Sequence, residues 1–316
     1  MRPTLLLLLG VLLALPAQAD SFSFGLFGDT PYTQWERLHL PDLIADMDRE
    51  NLAFVIHDGD IKSGSDECSD KAFADIHGVF ANSVHPLIYV PGDNEWTDCH
   101  RRSNGGYQPL ERLAKLRQLF FPDDLTLGKR RLVLERQSAQ AVFSTYRENS
   151  RWETGPVLFV TLNIPGTNNN HDAPDRAEFI GRSLANTAWL EQSFAQARRK
   201  KLSGILIVIQ GNPGFQAANA GHPPSGYRQF LEQLRAETRN FPGQVVLVHG
   251  DTHHQRIDQP LEDPDTGQTV ANFTRVETHG SPSFGWTKAT VDRRNPRLFH
   301  FEPRVVAGPR LQYNAQ

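Results

Sequence analysis

At 316 residues, with 39% hydrophobic, 22% charged and 9% aromatic side chains, the chain carries enough apolar material to close a core, which excludes disorder as its main state. Lys and Arg number 33 against 36 Asp and Glu, for a formal charge of −3, and no basic run exceeds a few residues. That balance excludes a nucleic-acid binder working by counterion release.

The first segment reads as a leader. Arg2 precedes the apolar run Leu5 to Leu15, Pro16 breaks it, and Ala17-Gln18-Ala19 offers the small-x-small pattern of signal-peptidase cleavage. The run falls short of the roughly 20 residues that span a bilayer. Residues 1–19 are therefore read as an export signal and 20–316 as a single mature domain, periplasmic or secreted, with no membrane segment after cleavage. Export favours a bond between the two cysteines, Cys68 and Cys99. Closing that loop of about 30 residues stabilises a fold by roughly 3–4 kcal/mol in the chain-entropy model. Two unpaired buried thiols are the alternative.

Ser21 to Gly28 reads as a strand with Phe22, Phe24 and Leu26 two apart, and Thr33 to Glu50 as a helix with Trp35, Leu38, Leu43, Ile44 and Met47 on one side. A strand over 52–57, a helix over 66–81, a strand over 86–90 and a helix over 108–121 follow. This β-α-β-α-β-α succession needs crossover connections and hence a largely parallel sheet. Next, 131–147 and 157–163 read as strands separated by the polar stretch 148–155, and 165–175 as a polar loop that covers the site or is mobile. Helices over 176–201 and 226–239 precede strands over 204–209 and 244–249, and 271–277, 284–292 and 297–301 read as antiparallel strands. With no linker or repeat, the expected fold is α/β: a two-sheet β-sandwich with flanking helices, layered α/β/β/α.

Four strands end in Gly and Asp: Gly28-Asp29, Gly59-Asp60, Gly92-Asp93-Asn94-Glu95, and Gly250-Asp251 with His253. Ligands of open α/β sheets bind beyond the carboxyl ends of strands, so these acids are expected to converge. Two carboxylates about 4 Å apart repel by about 4 kcal/mol at an effective dielectric near 20, and a divalent cation is the simplest remedy. Any one Gly-Asp also serves as a turn or helix N-cap, and a protonated cluster without metal is a further alternative.

This order of motifs resembles the calcineurin-like metallophosphoesterases, whose pattern runs Asp-x-His, Gly-Asp-x-x, Gly-Asn-His-Glu/Asp, a lone strand-end His and Gly-His-x-His. The counterparts are Gly28-Asp29-Thr30-Pro31-Tyr32, Gly59-Asp60-Ile61-Lys62-Ser63-Gly64, Gly92-Asp93-Asn94-Glu95-Trp96, Gln210-Gly211-Asn212-Pro213 and His249-Gly250-Asp251-Thr252-His253, so the likeness runs from about Phe22 to Phe301. Order and spacing match better than the letters: Pro31, Asp93-Asn94, Asn212 and Asp251 replace family residues, and His253 alone keeps its imidazole.

The resemblance implies that Asp29 and His253 hold one metal, that Asp60 bridges, and that Asp93 or Asn94 with Asn212 and Asp251 hold a second. It implies a metal-dependent phosphoesterase acting on a small phosphorylated substrate, a monoester or diester, with a hydroxide between two ions as the attacking group. Oxygen-rich ligands shift preference from Zn²⁺ toward Mn²⁺ or Mg²⁺, with Ca²⁺ also accommodated. Lys62, Arg101 and Arg102 are candidates for phosphate oxygens, and Asn94 or His100 for the proton donor. Tyr32 is a possible ligand or substrate contact, although packing on Trp35 is expected. A non-catalytic exported protein that binds a metal or ligand on the same scaffold is the alternative function. Gly-x-Ser-x-Gly, P-loop, dinucleotide and Cys-x-x-Cys motifs are absent from the sequence.

Overall fold

The computed structural model describes residues 21–306; the leader read over 1–19 lies outside them. Among the described residues twelve strands run in chain order: β1 (Ser21–Phe27), β2 (Leu52–His57), β3 (Leu87–Tyr89), β4 (Glu135–Arg136), β5 (Ser150–Thr154), β6 (Val157–Thr161), β7 (Gly204–Val208), β8 (Gln244–His249), β9 (Arg256–Asp258), β10 (Phe273–Glu277), β11 (Gly285–Asp292) and β12 (Phe299–Val305). They form a five-stranded sheet, β12-β11-β1-β2-β3, and a seven-stranded sheet, β4-β5-β6-β7-β8-β10-β9.

The pleat sorts each strand between two cores, because successive side chains point to opposite faces. Phe24, Leu26, Phe54, Ile56, Leu206, Val208, Val246 and Val248 meet between the sheets. Phe27, Val55 and Leu87 turn outward onto the helices Gln34–Asp48, Asp70–Ala81 and Pro109–Phe120. Ile205, Ile207, Val245 and Leu247 likewise meet the helices Ala177–Arg199 and Arg228–Arg239. The central strands are thus buried on both faces, which is why they read as unbroken apolar runs rather than alternating ones. The α/β/β/α layering is the expected one.

Local chemistry sets the first helix start: Glu36 N–H donates to Thr33 Oγ1 at 3.1 Å while Thr33 N–H donates to Glu36 Oε2 at 2.9 Å, a reciprocal cap. The second helix begins at Asp70, later than 66, because Ser69 caps it.

Three segments differ from the sequence reading. Of 131–147 only Glu135–Arg136 pairs as a strand. Arg136 is drawn instead to the carbonyls of Asp123 and Arg147, both at 2.9 Å, and short 3₁₀ turns follow. The polar 148–155 contains β5, whose Ser150 hydroxyl pairs with Thr161 at 2.8 Å while Trp152 reaches the inter-sheet core. Finally, β10 runs parallel to β8 and is antiparallel only to β9, a strand with too few residues to show a period.

Candidate active site

The strands β1, β2 and β3 are parallel, as are β6, β7, β8 and β10, so their carboxyl ends face one edge. Asp29, Asp60, Asp93 and Asp251 stand just beyond β1, β2, β3 and β8. The first three are buried, and Asp251 and His253 are half-buried. Asp29, Asp60, Asp251 and His253 all have left-handed backbone, with φ of 47°, 59°, 78° and 58°. Such conformations cost on the order of 1–3 kcal/mol each and persist where surrounding structure imposes them, typically at functional sites.

The acids are joined by a short network. Asp251 N–H donates to Asp29 Oδ2 at 2.9 Å, and His253 Nε2 lies 3.6 Å from Asp29 Oδ1 while its Nδ1 bonds the Ser281 carbonyl at 2.7 Å. Tyr32 OH bridges toward Asp60 Oδ2 (2.8 Å) and Asp29 Oδ1 (3.3 Å). Asn94 holds Asp60 with its backbone N–H at 3.1 Å and its amide at 2.8 Å. Asp60 approaches the next strand end so closely that a Cβ on Gly92 would lie 2.0 Å from its Oδ1. Thr167 Oγ1 donates to Asp93 Oδ2 at 2.6 Å and also meets Asp98 Oδ1 at 3.1 Å.

The charges are poorly compensated. Burial, opposed by His253, raises the Asp29 carboxyl; burial and then Asp93, Glu95 and Asp29 raise Asp60 well above the usual range. Burial followed by repulsion from Asp93 pushes Asp251 up to about 7. His253 is raised: burial opposes its charge, but the Asp29 contact outweighs it.

Thirteen percent identical to this chain, a dimetal phosphatase from Danio rerio superposes with a TM-score of 0.58 over 90% of this chain and 96% of its own. PhoD is 14% identical, with a TM-score of 0.53 over 89% of this chain and 65% of its own, so the chain spans just under two thirds of PhoD. The fold is metallophosphoesterase-like. No protein-family model matches the sequence, and no curated sequence is significantly similar to it.

A metallophosphoesterase-like scaffold raises the question of whether these residues suit a cation. The donor chemistry fits: Asp93 Oδ1 is buried without a hydrogen-bond partner, and a Cβ on Gly166 would lie 2.4 Å from it and 2.8 Å from Asp251 Oδ1. Two carboxylate oxygens of opposite sheets therefore point at one place. Among the described residues no three His, Cys, Asp or Glu side chains already form a coordination sphere. Tyr32 and Asn94 occupy Asp60, and Thr167 one oxygen of Asp93.

The remaining expected residues are placed unevenly. Asn212 gives its backbone N–H to Asp251 at 2.9 Å, but its side chain engages Gly214 N–H and Thr252. Lys62 is buried, its ammonium bonded to the Ser63 carbonyl and its pKa lowered by burial against the pull of Glu95 and Asp60. Arg101 pairs with Asp98 at 2.7 Å, near Asn94. Arg102 and His100 are exposed, and no described contact joins either to the carboxylates. Cys68 and Cys99 form a disulfide, tying the loop after Asp60 to the turn after Asp93. His249 and Trp96 are core residues, the latter beneath the Arg182 guanidinium.

Tyr32 departs from expectation: its ring meets His253 edge-on at 5.1 Å, while Trp35 packs on His39 and Phe284. Sequence reasoning gave no role to Thr167, Asp98 or Gln210, whose Oε1 holds Gly166 N–H at 2.6 Å. Gln210 had a signal in its place in the fourth motif, and Thr167 in the polar loop over 165–175 read as covering the site; Asp98 had none.

Proposed function

We propose that the chain is an exported metal-dependent phosphoesterase acting on a small phosphomonoester or phosphodiester. One observation carries the reading: four aspartates, the outer two 222 positions apart in sequence, gather at strand ends with one imidazole, and among the described residues no Lys or Arg is paired with any of them. The leader and the disulfide support export.

Asp29, Asp60, Asp93, Asn94, Asp251 and His253 would hold two divalent ions, Mn²⁺ or Mg²⁺ in preference to Zn²⁺ given the oxygen-rich set, with Ca²⁺ also accommodated. Such ions, when bound, activate water and neutralise phosphoryl oxygens. Asn212 serves this set by fixing Asp251 through its backbone N–H. Arg101, near Asn94 and bonded to Asp98 through one terminal nitrogen, would take a phosphate oxygen, and buried Lys62 would add positive charge felt by Asp60 and Glu95. His100 gives its Nδ1–H to the Thr97 carbonyl at 2.7 Å, which leaves Nε2 to exchange a proton with a leaving group.

A second reading, a non-catalytic binding protein on this scaffold, is favoured by Asn94, whose amide is engaged with Asp60, Tyr32 and the Lys62 carbonyl. Assay of aryl phosphates and diesters with Mn²⁺ or Mg²⁺ separates the two. Turnover should fall by about 100-fold or more in Asp60→Ala, beyond what loss of a supporting contact costs. Undiminished turnover in that variant would overturn the mechanism, and metal-loaded protein inert across the panel would favour binding.

A further inference from the structure

Beside the carboxylates lies a cavity of about 380 Å³, walled by Thr97 and His100 on one side, Pro109 at the start of a helix, and Thr167, Ala173 and Pro174 on the other. It shares a wall with the cluster, because Thr167 Oγ1 donates to Asp93 Oδ2 at 2.6 Å and Thr97 Oγ1 to the Asp93 carbonyl at 3.2 Å. The far wall is built. Thr167, Asn168, Asn169 and Asn170 are four consecutive left-handed residues, with φ from 47° to 56°. Asn168 Oδ1 accepts from Gly226 N–H at 2.9 Å, Asn169 donates to the Gly226 carbonyl at 2.8 Å, and Asn170 donates to Glu178 at 2.8 Å.

The wall's chemistry selects a class of occupant. Pro109, Ala173 and Pro174 are apolar, and the Thr97 and Thr167 hydroxyls are already bonded away to Asp93. No Lys or Arg lines the space, while Asp172 does. A second phosphate or a carboxylate would meet Asp172 with only the His100 imidazole to set against it, whereas an uncharged apolar group would lose little on leaving water.

Building on the phosphoesterase reading, we propose that this cavity receives the organic group of the ester, an aromatic or branched apolar alcohol carrying a single phosphate, and that Ala173 and Pro174 limit its size. Ala173→Trp fills the space, and Ala173→Leu fills it partly should the larger change disturb folding. In the Mn²⁺-loaded protein, kcat/KM for 1-naphthyl phosphate should fall about 10- to 100-fold more than kcat/KM for methyl phosphate, more steeply for Trp than for Leu. Equal losses on the two esters would overturn the assignment. A second measurement needs no catalysis: saturation-transfer NMR with 1-naphthol on metal-free protein should show binding that Ala173→Trp removes and Ala173→Leu weakens. Should the parent protein hydrolyse no ester with any divalent ion, the phosphoesterase reading falls and the naphthol experiment alone judges the cavity. Naphthol binding that both variants leave unaltered would overturn the cavity as the binding place.

Discussion

Two buried acidic regions of this protein are treated in opposite ways. Glu148, fully buried, receives both arms of Arg117, at 2.8 Å and 2.6 Å, and an Asn163 amide at 3.0 Å, and these partners hold its carboxyl below the usual range despite burial. Arg182 likewise pairs with Glu178 and Arg256 with Glu277, each at 2.6 Å. At the strand ends, Asp29, Asp60 and Asp251 are raised instead, and their partners are hydroxyls, amides, backbone N–H groups and one imidazole. Guanidinium groups meet Glu148, Glu178 and Glu277, whereas among the described residues none pairs with Asp29, Asp60, Asp93 or Asp251. Under the proposed function, this left-over negative charge is what a cation from outside would neutralise.

The contrast is open to attack by substitution. Arg117→Met strands the Glu148 charge and should cost about 3–5 kcal/mol in denaturant unfolding; a cost below 1 kcal/mol would mean that the paired region is not held by its pairing. Replacing both cysteines, Cys68→Ser with Cys99→Ser, should cost about 3–4 kcal/mol by freeing the loop between them. Intact stability in that double variant would show the clasp between the two site loops to be dispensable.

Asp251→Asn sharpens the comparison from the other side. With metal removed at pH 8, it relieves repulsion from Asp93 while the new amide oxygen still accepts from Asn212, so stability should hold or rise by up to about 1 kcal/mol. Metal content, measured in parallel, should fall. A loss of stability comparable to Arg117→Met would erase the distinction between the regions.

The smallest effect lies at a surface pair. Lys288 and Arg304 hold the Glu50 carboxyl down from 4.5 to about 2. A depressed carboxyl contributes stability that is present above pH 4.5 and lost as pH falls toward 2. Glu50→Gln should therefore lower the unfolding midpoint slightly at pH 7, and parent and variant should converge near pH 2. A difference that persists there would assign the effect to packing.

Much of the architecture was legible because its signals are local. Leu52 to His57 and Gln244 to His249 are apolar runs that stop at a Gly-Asp, and a strand's end can be read from where burial stops. The Thr33 and Glu36 cap is likewise written within four residues. β5 was not legible, because its polar side chains are satisfied by protein partners rather than by water: Ser150 by Thr161, Arg151 by Glu135 and Glu153 by Gln196. Nor was the direction of β10, whose pattern is the same whether its neighbour runs parallel or antiparallel. At the site, the acids announced themselves by spacing. Tyr32, three residues after Asp29, was also visible as a candidate contact, but its expected packing on Trp35 was not what the fold chose, and nothing local pointed to Asp60 at the neighbouring strand end.

By itself the sequence determined the alternation of strands and helices, the two sheets, and the acids at the strand ends, because apolar period and chain termination act over a few residues. Only the tertiary structure decided that Asp29 and Asp251 touch, that Thr167 and Gln210 enter the site, that Asn212 turns its side chain away, and that among the described residues no guanidinium pairs with the four aspartates. Those facts depend on the packing of two sheets against each other, which brings together residues hundreds of positions apart at distances that no local pattern encodes.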